Sequence, residues 1–450
     1  EIAEREQVEM VCGNVKTIRL ESKEEIKAFR LQNTKEKTTG NTEIFESFIQ
    51  GKFPVPSWNK LILLDFLKKN KTIVLITAVI LVSLLIGAIS FKAIFSNGNS
   101  NTNTSDSDEE SKRDVKYSKY SYEFLGAFDT VIQFVGYAKN EQEFETMVKA
   151  GQKRFEELHK LFDIYNDYEG INNIKTINDN AGISPVKVNP EVIDLIEFCK
   201  EWYYKTGGVV NIALGPVLSI WHEYREEGLL HPENARIPDI DLLKQAKLKT
   251  DIEKVKINKE ESTVFLEEPG MKLDVGAVAK GFATEIVAKE LEEQGYTSFV
   301  ISGGGNIKIV GKPLGGNRSK WAIGIQDPDK NALIPNSETV DTVYANDTSI
   351  VSSGDYQRFY VVDEKRIHHI IDPETLMPAN HYRAVTVMTP DSGLADFLST
   401  TVFVLPYEQS RKLVESLENV EALWIFPDGT ITATENMKKV LKNLGGASGK

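Results

Sequence analysis

Cysteine is scarce in this sequence. Only two cysteines, Cys12 and Cys199, occur among the 450 residues, and they are far apart in the chain. Two isolated thiols cannot build a disulfide framework, and they lack the Cys-x-x-Cys spacing of a zinc or dithiol site. The sequence therefore excludes disulfide-stabilised scaffolds and cysteine-based zinc folds.

Positive charge is also in short supply. The chain has 53 lysines and arginines against 66 aspartates and glutamates, which gives a net charge of -13. Nucleic-acid binding needs an excess of cations to neutralise phosphates, so the composition argues against a nucleic-acid partner. A hydrophobic content of 41%, with 31 glycines and 16 prolines, excludes collagen, coiled-coil and wholly disordered chains.

One long hydrophobic run is present, TIVLITAVILVSLLIGAISF from Thr72 to Phe91. It carries no charge and has about the 20 residues that a transmembrane helix needs, so it predicts a single membrane span. Its position, about seventy residues into the chain, and the lack of a cleavage site after it weigh against a signal peptide. Lysines cluster before the run, at Lys60, Lys68, Lys69 and Lys71. This bias predicts a cytoplasmic N-terminus and an extracytoplasmic C-terminal part, in the cell membrane.

The hydrophobic run divides the chain into parts of different character. Residues 1–71 show only weak helical periodicity, and we assign them no function beyond a predicted cytoplasmic location. Residues 96–115 form a polar, low-complexity stretch that predicts a disordered tether. Residues 116–445 have the composition of a globular domain, which is predicted to be extracytoplasmic.

The globular part mixes helical and strand periodicity. Residues 141–162 and 190–205 predict amphipathic helices, and residues 321–326 and 384–388 predict strands. A hairpin is predicted within residues 359–371. Because strands and helices do not alternate regularly, the pattern favours an α+β fold with mixed, largely antiparallel sheets over a doubly wound α/β fold.

The first segment with possible chemistry is KLDVGAVAKGFATEIVAKELEEQ, residues 272–294, which predicts a helix. Asp274, Gly276 and Lys280 stand at its start. A helix N-terminus presents free N–H groups and the positive end of a dipole, so an anion such as a phosphate could bind there beside the lysine. An ordinary capped helix with a solvated lysine is the alternative.

The second segment is a run of three glycines, Gly303, Gly304 and Gly305, followed by Asn306. Such a run allows the backbone to approach a ligand closely. A plain tight turn is an equally good interpretation. The segment does not match the Gly-x-Gly-x-x-Gly pattern of dinucleotide-binding folds.

The third segment contains two of the six histidines, His368 and His369, before Asp372-Pro373. Adjacent strand residues face opposite sides, so the pattern predicts that only one of the two faces a given pocket. An imidazole in a pocket could hold a ligand or move a proton. For His368 we favour a hydrogen-bonded structural role.

The fourth segment, LADFLST, places Asp396 and Thr400 four residues apart on one helix face. A carboxylate and a hydroxyl are hard oxygen ligands suited to Mg²⁺, which takes its remaining ligands from water or substrate phosphates. The alternative is that the Thr400 hydroxyl bonds back to its own helix.

Together, these segments resemble the ApbE family of FAD:protein FMN transferases. The resemblance rests on the ordered motifs AFDTVIQF, TGGVVNIALGPVLSIW, KLDVGAVAKGFA, ISGGGNIKIVG, SSGDYQRF, HHIIDPETLMP and LADFLSTTVFVL, which span about residues 118–430. It implies an enzyme that cleaves FAD with Mg²⁺ and attaches the FMN part to a threonine of another protein, releasing AMP. The implied acceptor is an extracytoplasmic FMN-binding domain with a Ser- or Asp-Gly-Ala-Thr type motif, which this chain lacks.

The resemblance also implies roles for individual positions. His369 matches the candidate base, and Lys280 a catalytic contact to the flavin nucleotide. Further positions that match contacts to FAD are Phe128, Asn211, Ala213, Asp274, Gly303 and Gly304. The implied metal ligands are the backbone carbonyl of Ala277 and the side chains of Asp396 and Thr400.

The sequence departs from the family pattern at three positions. Asn211 replaces a usual Asp, Glu285 replaces another, and Leu376 stands where Gly is common. Two alternatives to the transferase are a Mg²⁺-dependent FAD pyrophosphatase, in which water replaces threonine, and a non-enzymatic extracellular FAD-binding protein. Retention of both Asp396 and Thr400 argues against the second alternative.

Overall fold

The computed structural model describes residues 9–12, 16–19, 116–329 and 339–449. The chain divides into two compact units, Glu1–Arg113 and Asp114–Lys450. In the first unit, strands β1 (Glu9–Cys12) and β2 (Lys16–Arg19) pair antiparallel. The predicted membrane span and tether, residues 72–91 and 96–115, lie outside the described residues. Within the described ranges, no helix has the length and apolar character of a membrane span.

The described strands of the second unit build one large sheet and three small ones. They are β3 (Ser118–Ala127), β4 (Thr130–Ala138), β5 (Val186–Lys187), β6 (Val255–Asn258), β7 (Thr263–Leu266), β8 (Phe299–Gly303), β9 (Asn306–Val310), β10 (Trp321–Gln326), β11 (Thr339–Ala345), β12 (Ser349–Gly354), β13 (Phe359–Val362), β14 (Lys365–His368), β15 (Ala384–Thr389), β16 (Glu421–Ile425) and β17 (Ile431–Ala433). The large sheet has the order β17-β16-β15-β12-β9-β8-β4-β3. All of its neighbouring strands pair antiparallel, as do β5-β7-β6, β10-β11 and β13-β14.

The second unit also contains ten α-helices among its described residues. They are α1 (Glu141–Phe162), α2 (Ile174–Asp179), α3 (Pro190–Lys205), α4 (Gly215–Leu230), α5 (Ile240–Lys247), α6 (Ala279–Glu293), α7 (Ser392–Val404), α8 (Tyr407–Ser416), α9 (Glu435–Val440) and α10 (Lys442–Gly445). The predicted helices α1 and α3 have the predicted bounds, and the predicted α+β class with antiparallel sheets is confirmed.

Local signals explain where the two predicted helices begin. The Asn140 side chain accepts the Glu143 N–H at the start of α1, and the Asn189 side chain accepts the Glu191 N–H at the start of α3. Asparagine is a favoured N-cap because its oxygen satisfies an N–H that lacks a helical partner. In α3 the cap is followed by Pro190, which needs no N–H partner at that position.

Helix α6 begins later than its sequence pattern suggests. Residues 272–278 form a loop, and the helix starts at Ala279, so the prediction that Asp274 and Gly276 lie in the helix is wrong. Leu273 exchanges two hydrogen bonds with the Asn178 side chain, at 2.6 and 2.9 Å. The Asp274 N–H donates to the Ile212 carbonyl at 2.7 Å. These bonds occupy backbone groups that a helix would otherwise use.

Helices α6 and α7 lie side by side, and α7 also packs on β12 and β15. Their contact is possible because position 281 is glycine. A Cβ atom at Gly281 would lie 2.2 Å from the Ser392 carbonyl oxygen and 2.5 Å from the Asp396 Cβ. The close approach brings the start of α6 against the start of α7.

A buried ion pair fixes the same contact from the other side. The Glu285 carboxylate in α6 accepts a hydrogen bond from the Lys308 ammonium at 2.9 Å and another from the Ser392 N–H at 2.8 Å. Lys308 also donates to the Pro390 carbonyl at 2.8 Å. Glu285, one of the departures from the family pattern, therefore anchors the first residue of α7.

Candidate active site

A cavity of about 900 Å³ opens in the second unit. Ligand-binding cavities of proteins typically measure about 300 to 1,000 Å³, so this one is large enough for a dinucleotide. Its wall comes from the β3–β4 turn, the end of α1, α4, the loop before α6, the β8–β9 turn, β12 to β14 and α7. Of the residues proposed from sequence, the cavity wall includes Phe128, Asn211, Asp274, Ala277, Lys280, Gly304, His369, Asp396 and Thr400.

Two of the proposed residues lie behind the wall. Ala213 is fully buried, and its N–H donates to the Asn211 side chain at 2.8 Å. Gly303 is the last residue of β8, whereas the next residues, Gly304 and Gly305, form the turn that faces the cavity. Both turn glycines have positive φ values, +56° and +94°, which glycine adopts readily.

One end of the cavity presents oxygen atoms from α7. Asp396 is 4% exposed, and its Oδ2 accepts the Gly281 N–H at 2.8 Å. The Thr400 hydroxyl makes no hydrogen bond within the part of the chain that the structure describes. By contrast, the next hydroxyl, of Thr401, bonds back to the Phe397 carbonyl at 3.0 Å. The alternative of a back-bonded Thr400 is therefore wrong, and its oxygen remains available to a ligand.

Lys280 reaches the same carboxylate. Its ammonium lies 3.6 Å from Asp396 Oδ2 and 3.2 Å from the Gly276 carbonyl oxygen. Burial raises the pKa of Asp396, and the lysine, the Gly281 N–H and the Asn306 amide oppose that shift by stabilising the ionised form. Burial is the larger effect, so the pKa of Asp396 stays above its ordinary value, while these three groups stabilise its ionised form.

These atoms fit a hard divalent cation. The Asp396 carboxylate, the Thr400 hydroxyl and a backbone carbonyl such as that of Ala277 are the oxygen donors that Mg²⁺ prefers. No cluster of three or more histidine, cysteine, aspartate or glutamate side chains is found among the described residues. With a single carboxylate, the site suits an ion that completes its coordination with water or with substrate phosphates.

The loop before α6 also lines the cavity. Asp274 Oδ1 accepts the Gly276 N–H at 2.9 Å. Burial raises the pKa of Asp274, while this hydrogen bond and the cationic side chains of Arg225 and Arg358 act in the opposite direction. Both arginines line the cavity and were missed in the sequence. Arg358 stands within the SSGDYQRF motif, but nothing in that motif distinguishes it from a surface arginine.

The two histidines differ in their hydrogen bonds. His368 is buried, its Nε2 donates to the Ala379 carbonyl at 2.7 Å, and its Nδ1 accepts the Ile370 N–H at 3.2 Å. Both ring nitrogens are thus occupied, as expected for a structural histidine. The prediction that only one histidine faces the pocket is wrong, since both line the cavity. The physical reason is that β14 ends at His368, so strand alternation does not extend to His369.

His369 differs in that only its Nδ1 has a hydrogen-bond partner among the described residues. Its Nδ1 lies 3.2 Å from the Arg358 carbonyl oxygen, which can only accept, so Nδ1 carries the proton and Nε2 keeps its lone pair. Burial, together with the cations of Arg358 and Arg225, lowers the pKa of His369 to about 3. The ring is therefore neutral at physiological pH and can accept a hydrogen bond at Nε2.

Aromatic side chains line another wall. Phe128 and Asp129 have φ values of 54° and 50°, an unusual conformation for a bulky residue, and form the turn between β3 and β4. The Phe128 N–H donates to His159 Nδ1 at 3.3 Å, which helps to hold the turn. Tyr165, also missed in the sequence, is 53% exposed and lies at a centroid distance of 5.1 Å from the ring of His222. Its exposed ring offers a surface on which a planar ligand could stack.

The other departures from the family pattern have structural explanations. Asn211 accepts the Ala213 N–H with its oxygen and donates its amide to the Thr250 carbonyl at 2.8 Å, a bond that an aspartate could not donate. Leu376 has a φ of 63°, a conformation that glycine adopts without strain. Its side chain is buried, and its carbonyl accepts the Trp221 indole N–H at 2.9 Å. Burial of the leucine side chain offsets part of the backbone strain.

Comparisons with known proteins agree on one family. The model of the ApbE family matches residues 128–424. The FAD:protein FMN transferase of Treponema pallidum is 36% identical over 277 residues, which cover 58% of this chain and 72% of that protein. The protein of the same name from Klebsiella pneumoniae is 30% identical over 276 residues, or 59% of this chain and 81% of its own length.

Solved structures give the same result. The ApbE protein from Thermotoga maritima superposes with a TM-score of 0.61 and 26% identity, over 72% of this chain and 99% of that one. The flavin transferase ApbE from Vibrio cholerae has the same fold, with a TM-score of 0.58 and 22% identity, over 72% of this chain and 100% of that one. The family match, the relatives and the shared fold lead to one conclusion: this chain belongs to the ApbE family.

Proposed function

We propose that this chain transfers the FMN part of FAD to a threonine hydroxyl of another protein and releases AMP, in a reaction that depends on Mg²⁺. The observation that carries the proposal is the joining of Lys280, Asp396, Thr400 and His369 in one cavity of dinucleotide size. The names of the relatives from Treponema pallidum and Klebsiella pneumoniae support the same activity.

In this reaction the threonine oxygen forms a bond to the phosphorus of the FMN half, and the bond from that phosphorus to the oxygen of AMP breaks. The threonine proton passes to His369 Nε2, the ring nitrogen that keeps its lone pair. Although the pKa of His369 is lowered to about 3, negatively charged phosphates beside the ring would raise it and make the nitrogen a better base.

Asp396, Thr400 and the Ala277 carbonyl would hold the magnesium ion, which would supply positive charge to the pyrophosphate and the leaving AMP. Lys280, in the first turn of α6, lies beside Asp396 and would add a second positive charge next to the pyrophosphate. Asp274 and Arg358, with the rings of Phe128 and Tyr165, also line the cavity and would bind and orient the rest of the dinucleotide.

We also propose that the chain is anchored in the cell membrane. The uncharged run at 72–91 and the lysines before it support a single span with a cytoplasmic N-terminus and an extracytoplasmic catalytic domain. The acceptor would then be an extracytoplasmic FMN-binding domain with a Ser- or Asp-Gly-Ala-Thr type motif. Protease added to intact cells should release a soluble fragment cut within residues 96–112, and a C-terminal reporter active only in the cytoplasm would contradict this topology.

The activity is tested with purified protein, FAD, Mg²⁺ and an acceptor carrying the threonine motif. We expect covalent FMN on the acceptor threonine by mass spectrometry, with release of AMP. Release of FMN and AMP without any labelled acceptor would establish a pyrophosphatase instead. Binding of FAD without cleavage would establish a flavin-binding protein.

A further inference from the structure

Asn306 lines the cavity together with Asp396 and Thr400. It is the first residue of β9, directly after the Gly304–Gly305 turn, and it is 1% exposed. Its side chain lines the cavity and lies close enough to Asp396 to stabilise the ionised form of that carboxyl group. The turn between β8 and β9 therefore positions the Asn306 amide near the Asp396 carboxylate on α7.

The oxygen of the Asn306 amide is the atom that points to a ligand. Asn306 Oδ1 is buried and makes no hydrogen bond within the described part of the chain. The orientation follows from charge, because an ionised Asp396 only accepts hydrogen bonds and must therefore face the amide nitrogen. Buried carbonyl oxygens are nearly always paired with a donor, an ordered water or an ion, so an unpaired one beside a cavity points to a ligand.

We propose that Asn306 completes the magnesium site: its nitrogen orients Asp396, and its Oδ1 is a further oxygen donor to the ion or to a water on the ion. This inference rests on the proposed function, which supplies the ion. Amide oxygens are common ligands of hard cations, and a site with one carboxylate needs neutral donors to complete its coordination. Groups that orient a ligating carboxylate also contribute strongly to metal affinity.

The test is a titration of the whole chain with Mn²⁺ as a probe, in which free Mn²⁺ is counted by electron paramagnetic resonance. Asn306→Leu removes both polar atoms at similar volume and should weaken Mn²⁺ binding by about 10- to 100-fold. Asn306→Ala, which adds no bulk, should show the same loss. Melting curves without metal confirm that each variant is folded.

Asn346 provides a matched control. Its Oδ1 is also buried without a partner and its amide donates to the Ser319 carbonyl at 2.8 Å, but it does not line the cavity. Asn346→Leu should leave Mn²⁺ affinity unchanged. If folded Asn306 variants bind Mn²⁺ as the wild type does, the inference about Asn306 is wrong while the magnesium site stands. If the wild type itself does not bind Mn²⁺, the magnesium part of the proposed function falls with it.

Discussion

Replacing Gly281 by alanine should separate the helices that form the oxygen-rich end of the cavity. Alanine is the better helix former by roughly 0.5 to 1 kcal/mol, which alone would stabilise α6. However, the new Cβ would lie 2.2 Å from the Ser392 carbonyl oxygen, a backbone atom that cannot rotate away. Overpacking of this kind costs about 1 to 3 kcal/mol.

The same shift would weaken the hydrogen bond from the Gly281 N–H to Asp396 Oδ2, now 2.8 Å long. Hydrogen bonds to charged groups contribute about 1.5 to 3 kcal/mol, so the net loss of unfolding free energy should be about 2 to 5 kcal/mol. Because Asp396 would also lose its position, we expect FAD cleavage by the folded fraction to fall by on the order of 100-fold.

The assay combines urea unfolding with FAD cleavage, measured under conditions in which each variant is folded. Gly151→Ala in α1 is a matched control, because its Cβ would meet the Phe134 ring at 2.6 Å in the core, away from the cavity. It should lower stability but leave cleavage unchanged. Wild-type cleavage and metal dependence in folded Gly281→Ala would refute the reasoning.

Four further predictions concern single side chains. Thr400→Val should weaken Mn²⁺ binding about tenfold without lowering the melting temperature, because its hydroxyl has no hydrogen-bond partner among the described residues. Thr401→Val should not change Mn²⁺ binding, and equal affinities of the wild type and Thr400→Val in calorimetric titrations would exclude Thr400 from the site. Asp396→Asn should reduce FAD cleavage by on the order of 100-fold or more, and near-normal cleavage at low Mg²⁺ would remove Asp396 from the mechanism. His369→Ala should slow transfer to threonine by about 100- to 10,000-fold while FAD still binds, whereas His368→Ala should mainly lower the melting temperature. Normal transfer by His369→Ala together with lost transfer in a folded His368→Ala would make His368 the base. The pKa of His369 is about 3 against 6.5 for an ordinary histidine, so the unfolded chain binds more protons between these values. Stability should therefore fall as the pH drops from about 6.5 towards 3, and urea unfolding of His369→Gln should show a flatter pH profile.

Much of the fold could be predicted because its signals are local. The helix at residues 141–162 has an asparagine cap and a regular apolar face, so periodicity alone gives its bounds. The start of α6 could not be predicted in this way. It depends on hydrogen bonds from Leu273 to Asn178, a residue 95 positions away, and such tertiary contacts leave no periodic trace in the sequence.

The residues of the candidate site also differ in whether local sequence signals reveal them. Asp396 and Thr400 share a helix turn, so their spacing alone indicates a common face. Tyr165, in the loop after α1, and Arg225, in α4, reach the cavity only through tertiary packing, and neither has a motif around it. Asn306 follows the glycine segment in the sequence, but only the structure shows that its amide lies near the Asp396 carboxylate.

The bond between Gly281 and Asp396 joins residues 115 positions apart. Contacts of such long range form only after the loop between them has closed, which makes them late events in folding. A chain that has been synthesised only as far as α6 contains Lys280 but not yet Asp396, the carboxylate that lies beside it in the folded protein. The site should therefore be assembled last, with α7, and a fragment ending before residue 392 should have no measurable Mn²⁺ affinity at this position.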